Sequence, residues 1–422
     1  MRPLLVRLHR WFGLGTAAFL FLAGFTGAVI AWDHELDALL NPAFFHSATP
    51  GAPLPALELA KRLEAEEPHA EVTYMPLAVE PGQTWIARVS PRLDPKTGAP
   101  YALDFNQVAL DPVTGAEQGR RMWGAPSLRP LNLVPFLYQL HYTLFLPTKM
   151  GIDFSVWTMG VVGMVWLLDG FVAIVLAFPN LKSWRKSLAF RVKRGGYTLA
   201  FDLHRSGGVW LWGLLIVVAV TSISMNLGAQ IVRPVVSVFS TLAPDPFRTA
   251  APGPALMPAE ADAARDRVAG LAAQAGRREG IVAPPGGLFA IPSAGTYAVG
   301  YFAAGNDHGD AGLGNPWLIF NGRTGDVLAR QIPGRGSAGD IFIQAQFPLH
   351  SGRIAGLPGR IAVSFTGLFV ALLSATGVVI WLKKARARRA GKIASKAKAA
   401  KLAAAAATAT ATARTTRERA LH

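Results

Sequence analysis

The chain has 422 residues, of which 51% are hydrophobic and only 16% are charged, and its mean hydropathy is positive. This composition is typical of a membrane protein with substantial soluble parts. Cysteine is absent from the sequence, which excludes disulfides, thiolate metal sites, iron–sulfur clusters and haem attached through a C-x-x-C-H motif.

Four apolar segments are each long enough to cross the hydrocarbon core of a bilayer. The first could be a signal peptide, but its duplication inside the chain favours retention. The sequence therefore predicts a cytoplasmic N-terminus with the first span (1–32), an external domain (33–153), a second span (154–178), a cytoplasmic link (179–208), a third span (209–230), a second external domain (231–360), a fourth span (361–382) and a basic, Ala-rich tail (383–422) that we expect to be disordered.

The two external regions have the same predicted order of elements. In the first, residues 54–66 have apolar residues at helical spacing, and strand-like alternation follows. In the second, a helix is predicted at residues 259–272. The predicted strands are 72–74, 84–89 and 101–110 in the first region, and a segment near Ile281, 295–302 and 316–320 in the second. Each region is about 100 residues long, which suits a small α+β domain.

The distribution of basic residues predicts the orientation. Lys and Arg cluster at the N-terminus, in the link 182–205 and after residue 382, so by the positive-inside rule both termini and the link are cytoplasmic. The external regions would then lie in the periplasm of a bacterial inner membrane. The tail has twelve basic residues and one acidic residue, and so carries most of the formal net charge of +16. We interpret it as a solvated segment attracted to anionic lipid, not as a nucleic-acid-binding segment.

An internal repeat organises the chain. The stretch 7–30, RLHRWFGLGTAAFLFLAGFTGAVI, recurs 195 positions later, at 202–225, as DLHRSGGVWLWGLLIVVAVTSISM. The offset places His9 on His204, and Thr26 on Thr221. Each external region also returns to the membrane through a histidine, His141 in the first copy and His350 in the second. The fold class we predict is a mainly α membrane protein, with a four-helix bundle built from a tandem repeat and two external α+β domains.

These four histidines are the candidate ligands of a redox cofactor. With cysteine absent, imidazole is the side chain here that could ligate haem iron at a membrane interface. Parallel repeats bring equivalent residues together at equal depth, so we expect His9 to pair with His204, and His141 with His350. Two b-type haems per chain would result. Taken singly, each histidine could instead be a headgroup anchor, and the pairing is what favours ligation.

Other polar residues near the spans are secondary candidates. We expect His34, at the external end of the first span, to be an extra external ligand or a substrate contact. Asp169 lies inside the second span, where a charge is costly unless it is paired, so it would relay a proton or pair with Arg10 or Arg205. Four arginines are candidates to bind haem propionates: Arg10, Arg205, Arg353 and Arg360.

Several motifs carry a family resemblance. LHRWFGL, ELDALLNP, LDPVTG, DLHRSGG and PLHSGRIAGLPGR, the last leading to ATGVVIWLKK, resemble the PepSY-associated transmembrane family, which includes siderophore-linked inner-membrane reductases. The likeness covers residues 1 to about 385. It implies PepSY-like external domains, two haems bound among four helices, and reduction of a ferric siderophore on the periplasmic side. By position, His9, His141, His204 and His350 match the histidine-bearing motifs of the family.

Three functions remain open from the sequence. The first is a haem-dependent membrane oxidoreductase that takes electrons from quinol or a cytoplasmic reductase and reduces a ferric siderophore or another external acceptor. The second is a non-redox membrane protein whose PepSY-like domains bind or regulate an envelope protease or another partner. A transporter is the third, and the predicted helices, which are continuous, argue against it.

Overall fold

The structure, a computed structural model, describes residues 1–180, 182, 184–245, 256–291 and 294–419. Four helices within this part of the chain are long and apolar enough to cross a membrane, as the composition predicts, and the chain is accordingly a multi-pass membrane protein. These four candidate spans are Arg2–Ile30, Phe154–Ala177, Trp212–Ser237 and Arg353–Ala406.

The chain is mostly helical. Two π-helical segments, Leu203–Gly207 and Gly228–Val232, interrupt the α-helices around the third span. The α-helices are α1 (Arg2–Ile30), α2 (Asp33–Leu40), α3 (Pro42–Phe45), α4 (Ala56–Glu66), α5 (Pro130–Thr143), α6 (Phe154–Ala177), α7 (Trp184–Leu188), α8 (Gly196–Asp202), α9 (Gly208–Trp210), α10 (Trp212–Leu227), α11 (Arg233–Ser237), α12 (Pro258–Arg278), α13 (Ala338–Ser351) and α14 (Gly356–Arg419).

The exit from the first span follows local sequence rules. α2 begins at Asp33, and Asp33 and Glu35 in its first turn complement the positive end of the helix dipole. α2 ends before Asn41, and Pro42 occupies the first turn of α3, where its missing N–H costs nothing. Pro42 thus marks the end of α2, the helix that follows the first span.

One antiparallel sheet of eight strands joins the two predicted external regions. The strand order is β10-β9-β8-β7-β1-β2-β3-β4, and Tyr74 of one region pairs with Phe289 of the other. The structure therefore differs from the two separate domains that we predicted. The strands are β1 (Ala70–Pro76), β2 (Trp85–Pro91), β3 (Gln107–Leu110), β4 (Glu117–Arg121), β5 (Thr148–Lys149), β6 (Ile152–Asp153), β7 (Pro285–Ile291), β8 (Thr296–Tyr301), β9 (Trp317–Asn321) and β10 (Val327–Gln331), with β5 and β6 forming a separate hairpin.

The core beneath this sheet is also shared. Leu63 of α4 and Val268 of α12 belong to one buried hydrophobic cluster with residues from both halves of the sheet. Within it the guanidinium of Arg265 donates to both carboxylate oxygens of Glu64 at 2.9 Å, and the backbone N–H of Val72 donates to the same carboxylate at 2.8 Å. A buried carboxylate needs such partners, so this pair ties the two halves together.

Both halves of the sheet close a strand with the same type of turn. Asp111 accepts hydrogen bonds from the backbone N–H groups of Val113 and Thr114, each at 2.9 Å. Asn321 accepts from the N–H groups of Arg323 and Thr324 at 2.9 and 3.2 Å. In each half, a Thr-Gly pair that follows the strand, Thr114-Gly115 or Thr324-Gly325, thus belongs to an Asx-type turn.

Replacing Asp111 with alanine should lower the free energy of unfolding by about 3 kcal/mol, because a buried carboxylate with four donors is lost. Burial would raise the pKa of the Asp111 carboxyl, but hydrogen bonds from Thr49, Thr114, Ser47 and Val113 outweigh it and hold that pKa well below its usual range. A lowered folded-state pKa stabilises the fold fully above about pH 4, and this contribution is lost as the pH falls further.

Denaturant titrations of the purified protein, followed by near-ultraviolet circular dichroism, would measure the effect of Asp111→Ala. Asp94 is a matched control, because it sits in a similar Asp-Pro-x-Thr-Gly turn but is more exposed, and it accepts from Lys96 N–H at 2.8 Å and Thr97 Oγ1 at 3.1 Å. Asp94→Ala should cost less than about 1 kcal/mol. Equal losses in the two variants would contradict the structural importance of Asp111.

The chain divides into two compact units. We call Met1–Phe21, Asp169–Trp212 and Ala371–His422 the basic unit, and Leu22–Leu168 with Gly213–Val370 the sheet unit. The tail differs from its expected disorder, because α14 continues to Arg419 and its side chains from residue 386 to 406 are exposed. Alanine has the highest helix propensity, which explains why an exposed, Ala-rich segment is helical. Residues 420–422 of the predicted tail lie outside the described residues.

Candidate functional site: two histidine pairs and a cavity

The basic unit contains the first predicted histidine pair. His9 lies on α1, and His204 lies in the π-helical segment Leu203–Gly207, a type of distortion that is frequent at functional sites. The two ring centroids are 6.0 Å apart and the ring planes make an angle of 52°. The structure thus brings together the two histidines that the repeat predicted to meet.

Each ring of this pair is oriented through its Nδ1 atom. His9 Nδ1 donates to the Asp169 carboxylate, with the two oxygens at 2.9 and 3.0 Å. His204 Nδ1 donates to the backbone carbonyl of Leu373 at 3.0 Å, and Thr376 Oγ1 lies 3.3 Å away. Because both acceptors take the Nδ1 proton, the neutral form of each ring has its free electron pair on Nε2.

The sheet unit contains the second pair, with very similar geometry. His141 on α5 and His350 on α13 have ring centroids 6.2 Å apart and an interplanar angle of 52°. His141 Nδ1 lies 3.0 Å from Thr26 Oγ1, and His350 Nδ1 lies 2.9 Å from Thr221 Oγ1.

The threonines fix the tautomer of this second pair. The Thr26 hydroxyl donates to the Leu22 carbonyl at 2.8 Å, and the Thr221 hydroxyl donates to the Val217 carbonyl at 2.9 Å. Each hydroxyl proton is therefore already used, and its oxygen accepts the Nδ1 proton of the histidine. Again Nε2 is left as a free electron-pair donor on both rings.

The spacing of both pairs suits one metal ion held between two imidazoles. A metal–imidazole bond is about 2 Å long and the ring centre lies roughly 1.1 Å behind the nitrogen, so axial imidazoles on opposite sides of one metal have centroids roughly 6.2 Å apart. The observed 6.0 and 6.2 Å match this value. An ordered Nδ1 partner on every ring is the arrangement that orients metal-ligating histidines.

Small residues make room beside the rings. A Cβ added to Gly27 would lie 2.9 Å from His141 Cε1, and one added to Gly377 would lie 3.1 Å from His204 Cε1. Larger residues at these two positions would displace the imidazoles. An added Cβ at Gly13 would meet none of the described atoms within 4 Å, so there is space along α1 near His9. Both features fit a flat macrocycle such as haem.

The four predicted propionate-binding arginines fall into two groups. In the basic unit, the Nε atoms of Arg10 and Arg205 are buried and have no hydrogen-bond partner among the described residues. Such orphan donors beside His9 and His204 suit an anionic group. Arg205 also has a carboxylate neighbour, since its Nη2 atom lies 3.5 Å from Asp202. In the sheet unit, Arg353 pairs with Asp310 at 3.0 Å, and Arg360 pairs with Glu35 at 2.7 Å. To bind a propionate, the guanidinium groups of Arg353 and Arg360 would each have to contact it while also keeping a protein carboxylate as a partner.

Asp169 does pair, but its partner is His9 and not Arg10 or Arg205. The packing of α6 on α1 within the basic unit could not be predicted from the sequence. A sequence signal was nevertheless present, because Asp169 and Thr376 each precede a glycine in the second and fourth spans, and both approach a histidine Nδ1. Thr26 and Thr221 are further residues whose role we missed, although the repeat superposes them.

A cavity of about 690 Å³ lies in the sheet unit, and it is lined in part by α5, the helix that carries His141. Tyr138 and Tyr142 line it, and His141 lies between them on α5, while Arg353 lines it three residues after His350. His34, the predicted additional ligand, also lines the cavity, where its ring packs edge-on against His308 with centroids 4.7 Å apart. The structure therefore groups His34 with His308, at the cavity.

The family model described as the PepSY-associated TM region matches residues 6–384 of the chain. No curated protein matches it.

Proposed function

Because this chain belongs to the PepSY-associated transmembrane family, we propose that it is a di-haem b-type membrane oxidoreductase that carries electrons across a bilayer to an external acceptor. The acceptor we propose is a ferric siderophore, so that the protein serves iron acquisition. Family membership leaves the activity open, since one fold hosts many functions.

The observation that carries this proposal is the doubled imidazole geometry. Two pairs of histidines, one in each unit, have ring centroids 6.0 and 6.2 Å apart, a spacing that suits two imidazoles sharing one metal ion, and the Nδ1 atom of every ring has a hydrogen-bond partner. Headgroup anchors would not need this arrangement. A haem bound in this way exchanges one electron at a time without forming new bonds to a substrate.

The repeat supports the finer description of the fold. We propose that the chain is a tandem repeat in which each copy supplies two spans and one PepSY-like domain. The support is the equivalent order α4-β1-β2-β3-β4 and α12-β7-β8-β9-β10, together with the matched Asx turns at Asp111 and Asn321.

The orientation is likewise a proposal. Basic residues concentrate in the basic unit, which holds both termini and the link between the second and third spans. The positive-inside rule then puts both termini and this link in the cytoplasm, and the two external regions in the periplasm of a bacterial inner membrane. Electrons would enter on the cytoplasmic side from quinol or from a reductase and leave at the cavity.

The residues of the chain have distinct tasks in this scheme. His9 and His204 would bind the cytoplasmic haem, and His141 and His350 the periplasmic one. Asp169 accepts the Nδ1 proton of His9 and so orients that ring, while Thr26 and Thr221 orient the periplasmic ligands. The cavity is within the size range of small-molecule sites, and its tyrosines would position the acceptor beside His141.

Anaerobic mixing tests this function. Purified protein would be reduced with dithionite, freed of excess reductant and mixed with a ferric hydroxamate in the presence of a chelator specific for Fe²⁺. Each iron takes up one electron, so we expect the reduced absorption to be lost as up to two Fe²⁺ ions form per chain. Reduced protein that does not transfer electrons to the ferric complex, but is oxidised by a small artificial acceptor, would contradict the siderophore assignment.

A further inference from the structure

Three side chains at the cavity are placed to bind a metal ion. Asp33 and His34 begin α2, and His308 lies in the segment between β8 and β9. Each offers one ligand atom, and these three atoms lie within 4.8 Å of one another. Two imidazoles and one carboxylate from separate parts of the chain thus converge at one point of the sheet unit.

A fourth residue orients one of these ligands. His308 Nδ1 donates to Asp307 Oδ1 at 2.9 Å, so in the neutral ring His308 Nε2 is the nitrogen with a free electron pair. A carboxylate on the far nitrogen of an imidazole is the usual outer partner of a metal-ligating histidine. This contact is a second observation, independent of the clustering, that points to a ligand at His308.

The local charge also suits a cation. Four carboxylates, those of Asp33, Glu35, Asp307 and Asp310, lie around two guanidinium groups, those of Arg353 and Arg360. Arg353 is 3.0 Å from Asp310 but 3.6 Å from Asp33, so its stronger bond is to a residue outside the proposed ligand set. Asp33 can therefore turn to a metal ion while Arg353 keeps a partner.

We propose that Asp33, His34 and His308 bind one divalent first-row transition-metal ion at the cavity wall. Two imidazole nitrogens favour Fe²⁺, Co²⁺, Ni²⁺, Cu²⁺ or Zn²⁺ over Mg²⁺ and Ca²⁺, which prefer oxygen ligands. The His34 side chain is half exposed, at 51%, so the ion can be reached from solvent and keeps positions for water or a further ligand.

The natural ion follows from the proposed function, on which this step rests. A ferric siderophore that takes up one electron holds Fe²⁺, an ion for which imidazole is a better partner than it is for Fe³⁺. Transfer to His34 and His308 is then ligand exchange, with no further change of oxidation state. This site would be the first place at which the protein binds the iron after its reduction.

Equilibrium dialysis of the full-length detergent-solubilised protein against Zn²⁺, a redox-inert probe, tests the site. We expect one tightly bound ion per chain, roughly 100-fold weaker binding in His34→Ala and His308→Ala, and at least about 10-fold weaker binding in Asp307→Asn. His69→Ala is the control, since His69 stacks on Tyr101 with centroids 3.9 Å apart, and it should bind like the parent protein. Unchanged Zn²⁺ affinity in both His34→Ala and His308→Ala would overturn the proposal.

Haem content separates this proposal from the function proposed above. His34→Ala and His308→Ala should retain the haem content of the parent protein, which also shows that they are folded. If the protein contains haem and reduces the ferric complex, but its Zn²⁺ binding does not depend on His34 and His308, the metal site alone is refuted. A Zn²⁺ site in protein that lacks haem supports the site and refutes the proposed redox function.

Discussion

Replacing His350 with alanine is expected to lower the haem content of the purified protein from two haems per chain to one. His350 and His141 are the two imidazoles of the pair in the sheet unit, with centroids 6.2 Å apart. Because the chain has no cysteine, haem can be held only by axial ligation and packing, so the loss of one ligand should release the cofactor or leave it loosely bound. Pyridine haemochrome analysis against protein concentration measures the ratio.

Two control variants make this result specific. His69→Ala removes a histidine outside both pairs and should leave two haems. Thr221→Val keeps the His350 ligand but removes the acceptor of its Nδ1 proton, so it should retain haem with roughly 10- to 100-fold lower affinity. Two fully low-spin haems in His350→Ala would show that this histidine is not an axial ligand.

Replacing Asp169 with asparagine is expected to raise the reduction potential of one haem centre by about 60 to 120 mV, and to leave the other centre unchanged. The Asp169 carboxylate accepts the Nδ1 proton of His9 and makes that imidazole a stronger donor, which favours ferric iron. A 10- to 100-fold change in relative affinity for the two oxidation states corresponds to about 60 to 120 mV for one electron. Spectroelectrochemical titration resolves the two centres.

Thr376 supplies the matched control for Asp169. It approaches the Nδ1 atom of His204, but at 3.3 Å, while the Leu373 carbonyl at 3.0 Å remains the main acceptor. Thr376→Val should therefore shift the same centre by much less than Asp169→Asn. Two midpoint potentials that are both unchanged in Asp169→Asn would mean that His9 is not an iron ligand.

The histidine pairs could be predicted because the sequence similarity aligns His9 with His204 at a fixed offset, and each external region ends in one more histidine. Parallel repeats would bring such equivalent residues together. The four spans were equally accessible, since about twenty apolar residues have few alternatives to crossing a bilayer. The contacts at the histidine Nδ1 atoms could not be predicted from the sequence, because they depend on how neighbouring spans are rotated about their axes.

The sheet shows a different limit. β4 reads EQGRR and β10 reads VLARQ, and neither has a clear alternation of apolar residues, so hydrophobic periodicity did not reveal them. Ile281 was expected in a strand, but β7 begins only at Pro285. The edge pairing of β1 with β7, and the bond between Glu64 and Arg265, join residues from opposite halves of the chain. Local patterns cannot encode such pairings.

The most direct test of the account is an absorption spectrum, oxidised and then reduced, of protein purified in detergent from haem-replete cells, combined with haem quantification. The account predicts two reducible b-type haems per chain, both low-spin with two imidazole ligands, as the spacing of the His9–His204 and His141–His350 rings requires. A folded but colourless protein would contradict it.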